Sequence, residues 1–335
     1  MHKGLKKIKI EGFGEAMSHS KKVAAIFKDN FLKYCSSMKL TEIASEADII
    51  LIVGDGGIFQ KQIRRSKLYK AHGDRCILFS ESDNITPILP GIYASLDSKC
   101  YDKKLHVGGF YVNNPDLNLI TKQKGIKPIY LYSFMGNATT HKVRSKIVER
   151  LKHERGVIKD VGNLAQNTWS KWDLEEMAKI SSPYCKLIQK SKFVLCPRGC
   201  GTSSIRLFET MKLGRVPVII SDNWVPPSGP NWNACSVRLK EDEIERIPST
   251  LEQLEDKSDE MGQQAEREWK FWFSNRGNVN SILHFLENQK AINWEKGKTT
   301  YFKSLLVGKM WLKHTKRKVL NSLRRKIIKK DMSQP

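Results

Sequence analysis

The stretch Ser191–Asp222, which reads SKFVLCPRGCGTSSIRLFETMKLGRVPVIISD, holds the residues whose types and spacing best suit chemistry. Its pattern is an apolar strand, a loop with Gly199 and Gly201, a helix and a second strand. Glycine lets a backbone approach a ligand closely, and a helix that starts in such a loop presents free N–H groups and a positive dipole end. The pattern therefore predicts a loop that binds a diphosphate.

Charged side chains flank this predicted turn. Arg198 and Arg206 are placed to hold phosphate oxygens in bidentate fashion, and Thr202, Ser203 and Ser204 are candidates to cap the helix. Glu209 shares a helix face with Arg206, where a carboxylate can accept hydrogen bonds from ribose hydroxyls. The alternative is an ordinary strand–helix–strand unit with a capped helix and a surface Arg–Glu pair, because glycine- and serine-rich loops alone are weak signals.

Two longer runs of sequence are more specific than the loop alone. The run Ser191–Pro227 has a strand ending in CPRG, an S-x-R-L-x-E helix and a G-x-V-P-V-I-x-S-D strand and loop. The run Tyr130–Arg150, YLYSFMGNATTHKVRSKIVER, has a strand, a glycine loop and a helix with an arginine. Over Ile129–Pro227 the chain resembles the exostosin family of glycosyltransferases, whereas the first 125 residues are similar to it only in their α/β pattern.

This resemblance implies a fold, a reaction and a set of site residues. The implied fold is GT-B-like, with two Rossmann-like domains whose parallel sheets face a cleft and with the nucleotide in the C-terminal one. The implied reaction is inverting sugar transfer from a nucleoside diphosphate sugar, with a UDP-sugar as the expected donor, a glycan or lipid-linked glycan as acceptor, no cofactor and no obligatory metal. The implied donor contacts are Arg198, Gly199, Ser203, Ser204, Arg206 and Glu209, with Gly136, His141 and Arg144 in a second phosphate-side loop.

An inverting transfer also needs a general base for the acceptor hydroxyl. Carboxylates that follow predicted strands in the first third of the chain are the candidates, since ligands bind at the carboxyl ends of parallel strands. Asp83 is the first choice, Glu81 the second and Asp55 the third. The alternative is that these carboxylates only cap their loops, because Asp favours turns.

The elements that must position these residues alternate between strands and helices in two series, which predicts an α/β fold with parallel sheets. The predicted strands are Lys7–Ile10, Asp48–Val53, Arg75–Phe79, Ile129–Phe134, Gly156–Lys159, Phe193–Cys196 and Val216–Ile220. The predicted helices are Ser20–Cys35, His141–Leu151, Leu174–Ser181 ended by Pro183, Ser204–Leu213, and one or two within Glu260–Gln289. We expect residues 1–125 to form an acceptor-side domain, 126–290 a nucleotide-sugar domain and 291–335 a basic tail.

Part of the excess positive charge is concentrated in that tail. There are 58 Lys and Arg against 35 Asp and Glu, a net charge of +23, and Lys303–Lys330 contains no acidic residue. The stretch Leu312–Ile327 has an apolar stripe flanked by basic residues, which is typical of a helix that lies on an anionic membrane. A solvated or docked helix and a nucleic-acid contact are the alternatives.

Other features of the sequence bear on compartment and on competing functions. Seven cysteines without a C-x-x-C pair indicate free thiols rather than a zinc site. The basic N-terminus is not followed by an apolar stretch, and no run approaches the roughly 20 apolar residues of a spanning helix. We therefore expect a cytoplasmic protein, peripheral on the inner face of the membrane. The competing functions are an inactive relative that binds glycans or scaffolds other enzymes, and a basic nucleic-acid-binding protein.

Overall fold

The computed structural model of the chain describes residues 5–14, 18–54, 58–83, 87, 89–112, 119–162 and 174–288. The first domain is built on a six-stranded parallel sheet in the order β2-β1-β3-β4-β5-β6. Its strands are β1 (Lys6–Gly12), β2 (Met38–Leu40), β3 (Ile49–Val53), β4 (Cys76–Ser80), β5 (Gly91–Tyr93) and β6 (His106–Gly108). Its helices are α1 (His19–Tyr34), α2 (Ile58–Arg65) and α3 (Lys67–His72). The almost wholly apolar β3 and β4 lie in the middle of the sheet, as strands covered on both faces must.

The second domain is built on a five-stranded parallel sheet in the order β11-β10-β9-β7-β8. Its strands are β7 (Tyr130–Gly136), β8 (Gly156–Asp160), β9 (Ser191–Pro197), β10 (Val216–Ile220) and β11 (Val237–Leu239). Its helices are α4 (Lys142–Arg150), α5 (Leu174–Gln189), α6 (Ile205–Lys212), α7 (Trp232–Cys235), α8 (Ile247–Gln253), α9 (Ser258–Trp272) and α10 (Asn275–Asn288). The predicted GT-B-like architecture of two α/β domains with parallel sheets is thereby confirmed.

One predicted helix end is wrong. Pro183 was expected to stop a helix at Ser181, but α5 runs through it to Gln189. Proline removes one backbone hydrogen bond from a helix. The helix continues because Cys185, Leu187 and Ile188 beyond the proline are buried.

The apolar cores of the two domains are continuous. Edge-to-face ring contacts lead from Phe27 to Phe79 at 4.8 Å and on to Phe110 at 5.4 Å. From Phe110 the series continues to Phe273 at 5.6 Å, and Phe273 lies 4.9 Å from Phe208 on α6. In addition, α10 packs on α1, so the last described helix returns to the first domain. Shared aromatic packing therefore holds the two sheets in one arrangement.

The loops that follow β5, β9 and β10 meet where the two domains face each other. Leu96 accepts hydrogen bonds from Val225 N at 3.0 Å and from Thr202 Oγ1 at 3.1 Å, and the Trp224 indole donates to Ala94 O at 3.2 Å. The described helices include none long and apolar enough to cross a bilayer. The predicted basic tail lies outside the described residues.

Candidate functional site

The loop that follows β9 is held by Arg144, which enters it from α4. Its Nε donates to Arg198 O at 3.0 Å, its Nη2 to Pro197 O at 3.1 Å and its Nη1 to Asn137 O at 3.4 Å. Burial and the neighbouring Arg206 charge lower the pKa of Arg144 to about 10. These hydrogen bonds join the loop after β7 to the loop after β9. In this structure Arg144 therefore has a structural role, which is to fix the conformation of the two loops.

Arg206 lies on the first turn of α6 and is only 7% exposed. Its Nη2 donates to Met135 O at 2.5 Å, and its guanidinium lies 4.8 Å from the centre of the Phe134 ring. Within the described part of the chain, its buried Nε and Nη1 have no hydrogen-bond partner. Buried charged donors without acceptors are costly and rare in native proteins. Arg206 therefore has two buried donor nitrogens, Nε and Nη1, that no described acceptor satisfies.

Gly136 makes room for this guanidinium. A Cβ at that position would overlap Arg206 Nη2, since β7 ends directly against it. The sequence placed Gly136 in a phosphate-side loop by resemblance. The structure gives a local reason for the glycine, which is the close approach of Arg206.

The side chain of Glu209 on α6 is buried, unlike the acid of a surface Arg–Glu pair. It is 3% exposed, and its Oε2 accepts a 2.5 Å hydrogen bond from the Tyr184 hydroxyl. Burial raises the pKa of Glu209, while the Tyr184 hydrogen bond and the Arg206 charge act in the opposite direction. A contact between Glu209 and a ribose stays a prediction.

Arg198 belongs to a second cluster that includes an acid the sequence did not single out. Its Nη1 lies 3.7 Å from Glu241 Oε1, and the two side chains are 16% and 14% exposed. Glu241 is fixed by Asp222, because each backbone N–H donates to the other residue's carboxylate, at 3.3 and 2.9 Å. Glu241 follows β11, a strand of three residues, and so short a strand leaves little periodicity to detect.

His141 joins this cluster from the start of α4. Its Nδ1 accepts from Val143 N at 3.3 Å and so caps the helix. Burial and then the Arg198 charge lower the pKa of His141, while Glu241 raises it. The structure thus brings His141 and Arg198, two of the predicted donor contacts, close together.

The prediction that Ser203 and Ser204 cap α6 is wrong. Ser204 occupies the cap position, but its hydroxyl makes no capping hydrogen bond. Ser203 N donates to Ser95 Oγ in the first domain at 3.3 Å. The loop is therefore stabilised by the opposite domain, whose contacts replace the local cap.

The two loop glycines also serve packing. A Cβ on Gly199 would lie 3.1 Å from Arg144 Nη2, whereas one on Gly201 would lie 2.6 Å from Asp83 O and would overlap Ser95 Oγ. Gly201 thus permits the close approach of the first domain, and the approach of a ligand to this loop stays a prediction.

The candidate bases are separated by the structure. Glu81 is held inside the first domain, since its side chain is 7% exposed, lies 2.8 Å from His19 Nε2 and accepts from Val112 N. Asp83 is exposed and sits against Gly201, and its Oδ1 accepts a 2.7 Å hydrogen bond from the Tyr111 hydroxyl. Of the two, only Asp83 faces the loop after β9. Asp55 lies outside the described residues.

A metal site is not evident in the described ranges, where no group of three His, Cys, Asp or Glu side chains converges. All seven cysteines are unpaired, and Cys200 in the loop after β9 is exposed.

Comparison with known proteins places this geometry in a family. Residues 111–254 match the family model described as the Exostosin GT47 domain.

These residues form an exostosin domain. The predicted resemblance is confirmed, and the domain contains Arg144, Arg198, Arg206, Glu209 and Glu241. Asp83 precedes it, and Tyr111 is its first residue.

Individual relatives match over the same region. An Exostosin-1 homolog of Caenorhabditis elegans is 28% identical over 132 residues, which are 36% of this chain and 35% of that protein. Exostosin-1 of Bos taurus is 33% identical over 94 residues, 27% of this chain and 13% of its own length. The chain thus spans about a third or less of these relatives. A glycosyltransferase from Rickettsia africae aligns with 86% of this chain and 99% of its own, at 12% identity and a TM-score of 0.43.

Proposed function

We propose that this chain is an inverting glycosyltransferase that takes a sugar from a nucleoside diphosphate sugar. The observation that carries the proposal is the Arg206 guanidinium, which is buried at the start of α6 with two N–H groups that lack an acceptor among the described residues. Arginine forks and helix N-termini match the oxygens of a diphosphate. The exostosin domain around it supports the same class of reaction.

The donor side of the site supplies charge stabilisation. When the bond between the anomeric carbon and the diphosphate oxygen breaks, negative charge grows on the leaving group. Arg206 and the N-terminus of α6 would stabilise this charge in a water-poor site. Arg198 would assist from the next loop if it exchanges Glu241 for phosphate, since the two lie only 3.7 Å apart. With these cations in place the reaction has no obligatory need for a metal.

The acceptor side supplies the base. Asp83 would take the proton of the acceptor hydroxyl as that oxygen attacks the anomeric carbon from the face opposite the diphosphate, which inverts its configuration. The position of Asp83 across from the loop after β9 supports this assignment over Glu81. The expected donor is a UDP-sugar, and the expected acceptor is a glycan or a lipid-linked glycan.

The donor site is tested by binding. A screen of UDP-, GDP-, CDP- and dTDP-sugars should reveal one that raises the melting temperature, because a ligand that binds only the folded state stabilises it. Calorimetry with that nucleotide should show donor affinity at least tenfold weaker in Arg206→Met, and weaker in Arg198→Ala and Glu209→Ala.

Controls separate lost binding from lost folding. Arg206→Met should melt at or above the wild-type temperature, because it removes buried donors that have no partner. Arg155→Ala, which breaks a surface pair with Glu255, should leave donor affinity unchanged. Unchanged affinity in all folded site variants, or no nucleotide that binds, would disprove this donor site.

A further inference from the structure

A small polar network surrounds the carboxylate of Asp83. The Tyr111 hydroxyl donates to Asp83 Oδ1 at 2.7 Å, and Ser95 Oγ lies 3.4 Å from the same oxygen. The two hydroxyls are 3.0 Å apart, so the single Ser95 proton goes either to the Tyr111 oxygen or to Asp83 Oδ1. Both contacts go to Oδ1, so neither of them occupies Oδ2.

The ring of Tyr111 is held by the donor side of the site. It meets the ring of Phe208 edge to face at 5.9 Å, and Phe208 is a buried residue of α6 two positions after Arg206. Burial and the neighbouring Asp83 charge raise the pKa of Tyr111 well above its usual value. The hydroxyl therefore stays protonated and donates to the carboxylate. Tyr111 links the acid of one domain to the helix of the other.

Ser95 extends the network to the backbone of the loop after β9. Its Oγ accepts a hydrogen bond from Ser203 N at 3.3 Å, between residues 108 positions apart in the chain. The backbone oxygen of Asp83 packs against Gly201 in the same loop. The side chain of Asp83 is thus oriented by groups that belong to, or contact, the donor loop.

We propose that Tyr111, assisted by Ser95, is a positioning residue that fixes the Asp83 carboxylate so that Oδ2 faces the acceptor hydroxyl. The inference rests on the proposed function, in which Asp83 is the base. Tyr111 itself touches no reacting atom. Its hydrogen bond removes rotational freedom from the carboxylate, and a misplaced base loses much of its rate advantage.

The test compares Tyr111→Phe with the wild type. The assay measures UDP release, with water as acceptor, from UDP-glucose, UDP-galactose, UDP-N-acetylglucosamine and UDP-glucuronate. The phenylalanine keeps the ring against Phe208 and removes only the hydroxyl. We expect kcat to fall about tenfold, as loss of a hydrogen bond to a charged group implies, with the donor KM and melting temperature near wild-type values.

A double-mutant cycle distinguishes positioning from mere packing. Asp83→Asn should lower the rate of release by about 10²–10⁴-fold, the usual contribution of a general base, without weakening donor binding. Adding Tyr111→Phe should then cause no further loss, because the two residues act through one step. Tyr132→Phe is the matched control. It removes a buried hydroxyl that has no partner in the described part of the second domain, so its kcat should equal the wild-type value.

Each outcome bears on the inference. Wild-type kcat in Tyr111→Phe, or a multiplied loss in the double variant, would overturn the positioning role and leave the proposed function intact. Full activity in Asp83→Asn would overturn it as well, because the base would lie elsewhere. No UDP release by the wild type from any of these sugars would overturn the UDP-sugar function and the inference together.

Discussion

Buried polar side chains divide into those that the fold satisfies and those that it leaves open. The Arg144 guanidinium donates hydrogen bonds to three backbone carbonyls, and these bonds compensate for its burial. Arg206 is left with two buried nitrogens, Nε and Nη1, and Arg198 with its Nε, that have no acceptor in the described ranges. This difference from Arg144 is the reason for the proposal that Arg206 binds the donor. His106 is a third case, since it is 6% exposed and packs its ring 5.6 Å from that of Tyr93.

The His106 imidazole predicts an acid-sensitive fold. Burial lowers its pKa from 6.5 to about 4, so the folded chain holds it neutral. The unfolded chain takes up a proton below about pH 6.5 and the folded chain only near pH 4. The stabilisation of the fold by neutral His106 is therefore fully present above pH 6.5. As the pH drops from 6.5 towards 4, the free energy of unfolding falls by about 3 kcal/mol.

Urea titrations between pH 7 and 4.5 measure this effect. His106→Phe should lose less stability over that range than the wild type, although it is less stable at pH 7 because Asp102 N loses its acceptor. His284→Gln, which replaces a partly exposed histidine, serves as the control. Its free energy of unfolding should change with pH as in the wild type. Parallel slopes for His106→Phe and the wild type would contradict the prediction.

At the scale of elements, the loop after β9 is shaped by both domains. Arg144 holds its start through Pro197 and Arg198, and the first domain holds its end through Ser95 and Leu96. Its two glycines differ in how closely they are packed, because a Cβ on Gly199 would lie 3.1 Å from Arg144 Nη2, whereas one on Gly201 would overlap Ser95 Oγ and lie 2.6 Å from the backbone oxygen of Asp83. The contact between the domains is therefore more sensitive to a substitution at Gly201 than to one at Gly199.

Alanine at each glycine tests this asymmetry. Gly201→Ala places a Cβ 2.6 Å from Asp83 O, which we expect to destabilise the fold by about 1–3 kcal/mol and to lower kcat by displacing the Asp83 loop. Gly199→Ala meets Arg144 Nη2 at 3.1 Å and should cost less than about 1 kcal/mol, since Arg144 need move by only a few tenths of an ångström. Thermal melts and UDP release measure both. Equal effects of the two substitutions would show that Asp83 does not pack on this loop.

The whole molecule is held together by aromatic packing and by the return of α10 to the first domain. Every described helix and strand ends by Asn288, ahead of the basic tail. The described elements of both domains therefore lie within residues 6–288. Membrane attachment at the inner face remains a prediction from the sequence.

A chain ending at Ala291 should therefore fold and bind donor like the full chain. The full chain should float with vesicles that contain anionic lipid, and the shortened one far less. Binding should weaken with salt, which screens charge over about 8–10 Å, yet persist, because the apolar stripe is not screened.

Flotation at two salt concentrations separates the electrostatic contribution to membrane binding from the apolar one. Leu320→Asp together with Leu323→Asp keeps the basic residues and breaks the stripe, so any binding it retains should vanish at high salt. Equal flotation of the full and shortened chains, or none for either, would remove the membrane role.

The sequence by itself determined the local architecture. Apolar runs and helical periodicity located β1, β3, β4 and β7 through β10, because these patterns reflect burial along a single element. They missed β2, β5, β6 and β11, each only three residues long. The sequence also located the loop between β9 and α6, since glycine spacing and a following helix are local features.

Only the tertiary structure decided the roles within the site. Asp83 and Glu81 are equivalent in sequence pattern, yet Glu81 turns inward to His19 and Asp83 outward to the opposite domain. Arg144 and Arg206 differ likewise in whether carbonyls saturate them. Such distinctions depend on contacts between residues distant in the chain, as between Ser95 and Ser203. Those contacts arise from the packing of two sheets, which no local periodicity encodes.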